Sequence, residues 1–389
     1  MNSRVNFKGL SELRALAALA VLFHHIELYK HRDNIYSLYD TKFESFISHL
    51  GKNGVYLFFV LSGFLITFLL LTEKERTGSI DIWKFYVRRA LRIWPVYYLV
   101  VFLSFFLLPF LAHNIPALHG EEYYYNRILL LDNHFYSTLI LFLLFLPNLA
   151  LLLRPGVTGV AQAWSVGVEE QFYLFWPHLV KRVSNKHLPY YLLGIIILLT
   201  FFKASSIGEE QKYILFMKKF LRLFLIEFMA IGALGAYALY YYGNKLRPFF
   251  TNGWILFVTF AAVCLCLIKH IDNLALSCLF ALLILFIVQD KSGFKLENKF
   301  LAKTGIWSYG IYMYHPIVMF FSFAFVNNLG VIKGSIIYNF LIYSLVLSIT
   351  IVLSYLSYAY FERFFIKLKD KKYSVVESGP KYADKQGQN

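Results

Sequence analysis

Charge is scarce in this chain: only 16% of its 389 residues are Asp, Glu, Lys or Arg, against about 25% in soluble domains. The shortage excludes an ordinary water-soluble fold. Cysteine is nearly absent too, and the three present, Cys264, Cys266 and Cys278, all lie in apolar segments, so neither a disulfide framework nor a metal site is expected. A cleavable leader is not expected either. The first apolar run, about 13–28, has Arg14 at its entrance and His24, His25 and Glu27 near its exit, with no small-residue cleavage site. It reads as a retained membrane helix. No internal repeat interrupts the pattern.

What is abundant is apolar surface. Hydrophobic residues make up 58% and aromatics 19%, and the mean hydropathy is +0.55. The formal charge is nevertheless +15. A nucleic-acid partner is not expected from this excess, because the basic residues sit between apolar runs instead of forming a solvated stripe. They report orientation.

Apolar stretches long enough to cross a bilayer occur near 10–28, 53–72, 93–112, 164–180, 188–203, 213–240, 249–268, 272–289, 303–327 and 335–366. An eleventh, 138–153, is broken by Pro147 and Asn148. If it does not cross, 25 of the 38 Lys and Arg fall on the side of the N-terminus and 13 on the other; if it does, the division becomes 17 and 21. Positive-inside bias therefore predicts an all-α bundle of about ten transmembrane helices with both termini cytoplasmic. The segment 138–153 is then a re-entrant or interfacial element, which other helices must cover. The expected division is a membrane domain over 1–366 and a disordered cytoplasmic tail over 367–389.

Ionisable groups inside spans are costly and usually face a cavity. In the first helix, Arg14 and His25 are eleven residues apart, three turns plus ~20°, so they share a face ~16 Å apart along the axis. His24 lies on another face. The pair reads either as two stations along one polar track or as a snorkelling anchor and a helix cap. Ser62-Gly63, inside an aromatic helix, permits close helix approach and leaves a hydroxyl for a cavity. Arg88, Arg89 and Arg92 can turn three guanidinium groups toward one phosphate, although orientation alone also explains them. Trp164, Ser165, Glu169, Glu170 and Tyr173 open another span; its first turn favours an ionised carboxylate, and either acid can orient an imidazole or form a salt bridge. Tyr312 and His315 lie on a further apolar helix. Glu227 is another membrane acid, with Arg222 or Lys219 as expected partners.

In order along the chain, Leu13-Arg14 with His25, Phe58-Phe59-Val60-Leu61-Ser62-Gly63-Phe64, Arg88-Arg89-Ala90-Leu91-Arg92, Trp164-Ser165 through Tyr173, Ser308-Tyr309 through His315 and Phe361-Glu362-Arg363 resemble the acyltransferase 3 family of integral-membrane acyltransferases. The resemblance runs from about residue 10 to 363. Family members usually carry Asp where this chain has Tyr56, and Pro where it has Phe364. It implies ten membrane helices in a bacterial inner membrane and no cofactor permanently bound. It also implies a cytosolic acyl-CoA cosubstrate, acetyl-CoA in many members, and transfer of the acyl group to a hydroxyl of an extracytoplasmic or lipid-linked glycan. Some members act on small molecules, and others carry a fused SGNH domain, which is not expected here.

On that basis His25 is the expected general base on the acceptor hydroxyl, with Glu169 orienting its ring, or else a transient acyl carrier. Arg14 positions the thioester end, and Arg88, Arg89 and Arg92 hold the cosubstrate's phosphates. Ser62, Trp164, Ser165, Glu170, Tyr173, Tyr312 and His315 are further pocket candidates. A transporter moving an anion or proton along the Arg14 to His25 track is the rival from another class; no paired discontinuous helices support it in the sequence. A purely structural scaffold leaves the clustered arginines and buried acids unexplained.

Overall fold

The computed structural model describes residues 5, 7–119, 122–206, 210–269, 272–289, 296–373 and 375–376. Helix dominates them, and no strand longer than an isolated bridge residue is present among them. In order these are α1 (Leu10–Arg32), α2 (Glu44–Thr77), α3 (Ile82–Phe102), α4 (Leu108–Asn114), α5 (Glu122–Asp132), α6 (Phe135–Leu143), α7 (Pro147–Leu153), α8 (Trp164–Arg182) and α9 (Leu188–Ala204). They continue with α10 (Lys212–Leu223), α11 (Ile226–Phe250), α12 (Gly253–Lys269), α13 (Asn273–Val288), α14 (Lys299–Ile306), α15 (Ser308–Asn328), α16 (Ile336–Leu356) and α17 (Arg363–Lys372). A π-helical turn at 103–107 joins α3 to α4, and another at 357–362 joins α16 to α17.

By length and composition four helices can cross a membrane: Glu44–Thr77, Ile82–Asn114, Ser308–Asn328 and Ile336–Lys372. A fifth exists if the bent pair α10 and α11 counts as one. Shorter apolar helices occur at α9, α12 and α13. Large side chains such as Ile197, Leu198, Phe201, Phe257, Phe260 and Phe340 point outward from the bundle. Such a surface suits a lipid solvent, and the molecule is a polytopic membrane helix bundle.

The long α2 lies at the centre, packed on α1, α8, α11 and α13, while α15 packs on α1 and α16. Gly63 and Gly232 explain the closeness of α2 and α11. A β-carbon at Gly63 would collide with the Met229 backbone, and one at Gly232 with the Val60 backbone. In lipid, where apolar side chains gain little by leaving the solvent, backbone approach of this kind supplies the packing energy.

The stretch expected not to cross, and two expected spans, prove to be broken. The stretch 138–153 forms the short helices α6 and α7 around Phe145, whose φ is 57°. At 9 and 7 residues, neither crosses a ~30 Å hydrocarbon core alone at ~1.5 Å per residue. The carbonyls released at the break are satisfied from neighbouring helices: Tyr97 donates to Phe142 O (2.8 Å), Tyr98 to Leu143 O (3.1 Å) and Gln171 to Phe145 O (2.9 Å). The stretch 213–240 bends by 45° between α10 and α11. There Lys203 Nζ donates to Phe224 O (3.3 Å) and to Glu227 (2.6 Å). Glu227 is therefore paired with Lys203, not with Arg222 or Lys219. The stretch 303–327 breaks at Trp307, between α14 and α15. Residues 367–372, assigned from sequence to the tail, are helical in α17; residue 374 and residues 377–389 of that expected tail lie outside the described residues.

Candidate functional site

Three cavities follow one another along the bundle. The end holding the start of α1 and the end of α2 is termed the lower end. A lower cleft of about 30 Å³ lies between α2, α3 and α17, lined by Glu73, Arg88, Arg89, Arg92, Lys369 and Asp370 among others. A middle cavity of about 110 Å³ shares Leu65, Ile66, Arg89 and Arg92 with it and adds Arg14, Ser62, Ser165, Glu169, Tyr173 and Tyr312. An upper chamber of about 400 Å³ is lined by His25, Arg32, Arg127, Arg154, Gln162 and Trp164, with others.

The lower arginines come from the first turns of α3, whose start is set by Asp81. Its side chain caps the helix by accepting from Lys84 N at 3.0 Å, and that backbone hydrogen bond holds its carboxyl below the usual range. The three arginines then part company. Arg88 forms an ion pair with buried Glu73 (2.8 Å) and donates to Tyr373 O (3.0 Å). All three line the lower cleft, but not equivalently: Arg88 is engaged in holding α2 and α17, while Arg89 and Arg92 face both cavities. Arg89 lies over the rings of Phe85 (5.7 Å) and Tyr173 (5.9 Å), and its Nε is buried without a partner. Lys369 joins them from α17.

In the middle cavity the groups from α2 and α8 meet. Glu169 accepts from Ser62 Oγ (3.0 Å) and Tyr173 OH (2.9 Å). Neither it nor Glu170 is bonded to His25, so the sequence expectation that Glu169 orients this ring is corrected. Glu170 accepts instead from Trp94 Nε1 (3.2 Å), and its other oxygen is buried and unpartnered. Ser165 and Tyr312 share a 2.7 Å hydrogen bond, and Tyr312 OH donates to Gln162 O (3.0 Å). The Tyr312 ring packs edge-to-face with both Phe58 (5.9 Å) and His315 (6.0 Å). It therefore stands between the middle cavity and the histidines above. Tyr56, where the family motif has Asp, is buried against Phe228.

The partner of His25 is His315 of α15. His25 Nδ1 lies 2.9 Å from Val21 O and 3.1 Å from His315 Nε2, while His315 Nδ1 lies 3.0 Å from Ile311 O. Carbonyl oxygens only accept, so both Nδ1 atoms carry hydrogen. The single Nδ1 hydrogen of His25 is then shared between Val21 O and the lone pair of His315 Nε2, and His25 Nε2 is left uncommitted in a residue that lines the chamber. An imidazole so arranged can take a proton at Nε2 while its other nitrogen is held. His24 is used elsewhere: its Nδ1 is 2.7 Å from Ile47 O, under α2.

Arg14 thus lines the middle cavity and His25 the upper chamber, with Tyr312 and His315 between them. Of the other sequence candidates, Ser62, Ser165 and Tyr173 line the middle cavity and Trp164 the upper chamber, while Glu170 lines none of the three and is bonded to Trp94. Sequence reasoning missed Lys369, Arg32, Arg127 and Arg154 as cavity residues. For Lys369 a signal existed, since Ile366 and Lys369 are three apart and share the buried face of α17. Arg127 and Arg154 enter the sequence reading only among the 13 basic residues on the side away from the N-terminus.

The acyltransferase domain profile of the acyltransferase 3 family matches residues 7–359. The chain is similar to the peptidoglycan O-acetyltransferase OatA of Listeria monocytogenes, 30% identical over 201 residues, which is 50% of this chain and 28% of that protein. It is also similar to the O-acetyltransferase OatA of Staphylococcus aureus, 28% identical over 182 residues, 46% of this chain and 26% of the relative. An uncharacterized protein of Haemophilus influenzae is 33% identical over 153 residues, 38% of this chain and 56% of the relative. The matched region spans only about a quarter of the length of the two acetyltransferases. No solved structure matches.

Proposed function

The chain belongs to the acyltransferase 3 family, and from that premise we propose that it is a membrane O-acyltransferase acting on a glycan. The donor in this reading is cytosolic acyl-CoA, with acetyl as the acyl group, and the acceptor hydroxyl lies on the other side of a bacterial cytoplasmic membrane. The names of the two similar O-acetyltransferases support the reaction class. The observation that carries the reading is the succession of cavities: guanidinium groups at the lower end, an uncommitted imidazole nitrogen at the upper end, and polar side chains between them.

In this reading ten helices cross the membrane and both termini are cytoplasmic, so the lower cleft meets the cytosol. Arg89 and Arg92, with Lys369, hold the donor phosphates, a task for which the planar guanidinium is suited. Arg14 faces the arm that carries the thioester. At the chamber, His25 Nε2 takes the proton of the acceptor hydroxyl as its oxygen attacks the thioester carbonyl. The carbon–sulfur bond breaks, coenzyme A leaves as the thiolate, and the proton on His25 is passed to it. His315 holds the ring and accepts from Nδ1 throughout, the service first expected of Glu169. General-base catalysis of this kind is worth roughly 10²–10⁴-fold.

The test is label transfer from radiolabelled acetyl-CoA, with purified protein in lipid nanodiscs and cell-envelope glycan as acceptor. Label should reach glycan with the wild type and fail to do so with His25→Ala. Undiminished transfer by that variant would eliminate the assignment, and no coenzyme A release by the wild type would eliminate the donor.

A further inference from the structure

The upper chamber holds more positive charge than a neutral sugar requires. Arg32, Arg127 and Arg154 line it, and no Asp or Glu is among its described lining residues. Two of these cations are set on one ring: the Arg32 and Arg127 guanidinium groups each lie 5.0 Å from the centre of Tyr123. Arg127 is held by neutral partners only, donating to Tyr123 OH (2.5 Å) and Gly156 O (3.3 Å), so its charge is oriented without being cancelled. Arg154 has a buried Nη1 with no hydrogen-bond partner among the described residues. Arg127 and Arg154 are half-buried and Arg32 is exposed, and they border about 400 Å³ of space, within the ~300–1,000 Å³ range of small-molecule pockets.

Gln162 supplies a second, different contact. Its amide nitrogen is committed to Met313 O (2.8 Å) and Gly159 O (3.1 Å), which fixes the side chain and leaves Oε1 buried and unpartnered. That oxygen can only accept. The chamber therefore offers guanidinium groups to an anion, a lone acceptor to a hydroxyl, and His25 at its wall.

We propose that this chamber is the acceptor subsite and that its acceptor is an anionic carbohydrate, whose phosphate or carboxylate is held by Arg127 and Arg154 while Gln162 accepts from a sugar hydroxyl. The inference rests on the acyltransferase reading and narrows its substrate class. Charge-assisted and bidentate contacts of this kind supply both affinity and register, so the anion sets which hydroxyl reaches His25.

The full chain in lipid nanodiscs, saturated with coenzyme A, is titrated with inorganic diphosphate, glucuronate and glucose. Arg89→Gln is titrated in parallel, and any binding it removes is assigned to the lower cleft. At least one anion should bind ten-fold or more tightly than glucose. Arg154→Gln and Arg127→Gln should each weaken that binding about ten-fold, and Arg154→Lys should recover part of it. Stronger diphosphate binding points to a phosphate-linked carrier, and stronger glucuronate binding to an acidic sugar; each supports the proposal. Glucose binding as well as the anions, absence of anion binding in the wild type, or anion binding unchanged in both glutamine variants overturns it. Label transfer from acetyl-CoA, read on the same samples, separates the two ideas: transfer to glycan without anion binding leaves the acyltransferase standing and the chamber refuted. Anion binding without transfer refutes the acyltransferase reading and with it the chamber's role as acceptor subsite, leaving an anion site alone.

Discussion

The lower and upper cavities are both lined by arginine and differ in what surrounds the charge. Around the lower cleft and middle cavity, carboxylates are close at hand: Glu73 pairs with Arg88, and Glu169, Asp370 and, behind Trp94, Glu170 lie near Arg89, Arg14 and Lys369. In the upper chamber Arg32 and Arg127 meet the Tyr123 ring, Arg127 also a carbonyl, and Arg154 Nη1 meets no hydrogen-bond partner among the described residues. The contrast teaches that an arginine count says little about binding until its partners are known. Arg88 and Arg89 are adjacent in sequence and both line the lower cleft, yet one is ion-paired to Glu73 and the other lies over aromatic rings.

Substitutions at the two ends should separate their roles, and the largest effect is expected at the junction. His25→Ala should lower kcat by roughly 10²–10⁴-fold while coenzyme A binding, measured by titration, persists. His315→Ala should cost less and should displace the pH profile of kcat, since His25 loses one of the two acceptors at its Nδ1 and keeps only Val21 O. A larger loss at His315 than at His25 would exchange the two assignments.

A crossed change in KM comes next. Removing one charge-assisted contact costs about 1.5–3 kcal/mol, so Arg89→Ala should raise the donor KM roughly 10–100-fold and leave the acceptor KM nearly unchanged. Arg154→Gln should do the opposite. Arg88→Ala should show mainly as lowered thermal stability, because it strands buried Glu73; a large donor KM effect there would restore the three-arginine clamp.

Packing beneath the site can be tested with two glycines. Gly63→Ala should destabilise the protein by about 1–3 kcal/mol, seen as a lower melting temperature in detergent, since its methyl meets the Met229 backbone. Gly194→Ala, on a helix face with nothing within 4 Å, should be neutral or mildly stabilising. Equal effects would mean that α2 and α11 are not pressed together.

The smallest change is expected at Asp81. Loss of the cap in Asp81→Ala should cost about 1 kcal/mol. Because that carboxyl is held below its ordinary range in the folded chain, its contribution is present above the unfolded-state pKa and is lost as pH falls through the folded one. Stability of wild type and variant should therefore converge in acid, and a constant difference would remove Asp81 as the origin.

The sequence by itself determined the helical, membrane-embedded class, the apolar stretches that became helices, and the order of motifs from Arg14 to Arg363. These follow from composition, run length and the 3.6-residue period, which are local. It also separated His25 from His24, because helical phase alone puts them on different faces. Only the tertiary structure decided partners. His25 meets His315 across 290 residues, Glu227 takes Lys203 over the nearer basic residues, and Arg127 and Arg154 leave the category of loop charge to line a chamber. The breaks at Phe145 and near Phe224 belong with these, since a helix interrupted at membrane depth survives only where other helices satisfy its carbonyls. Which side chain will do so depends on how helices pack in three dimensions, and no local pattern encodes that.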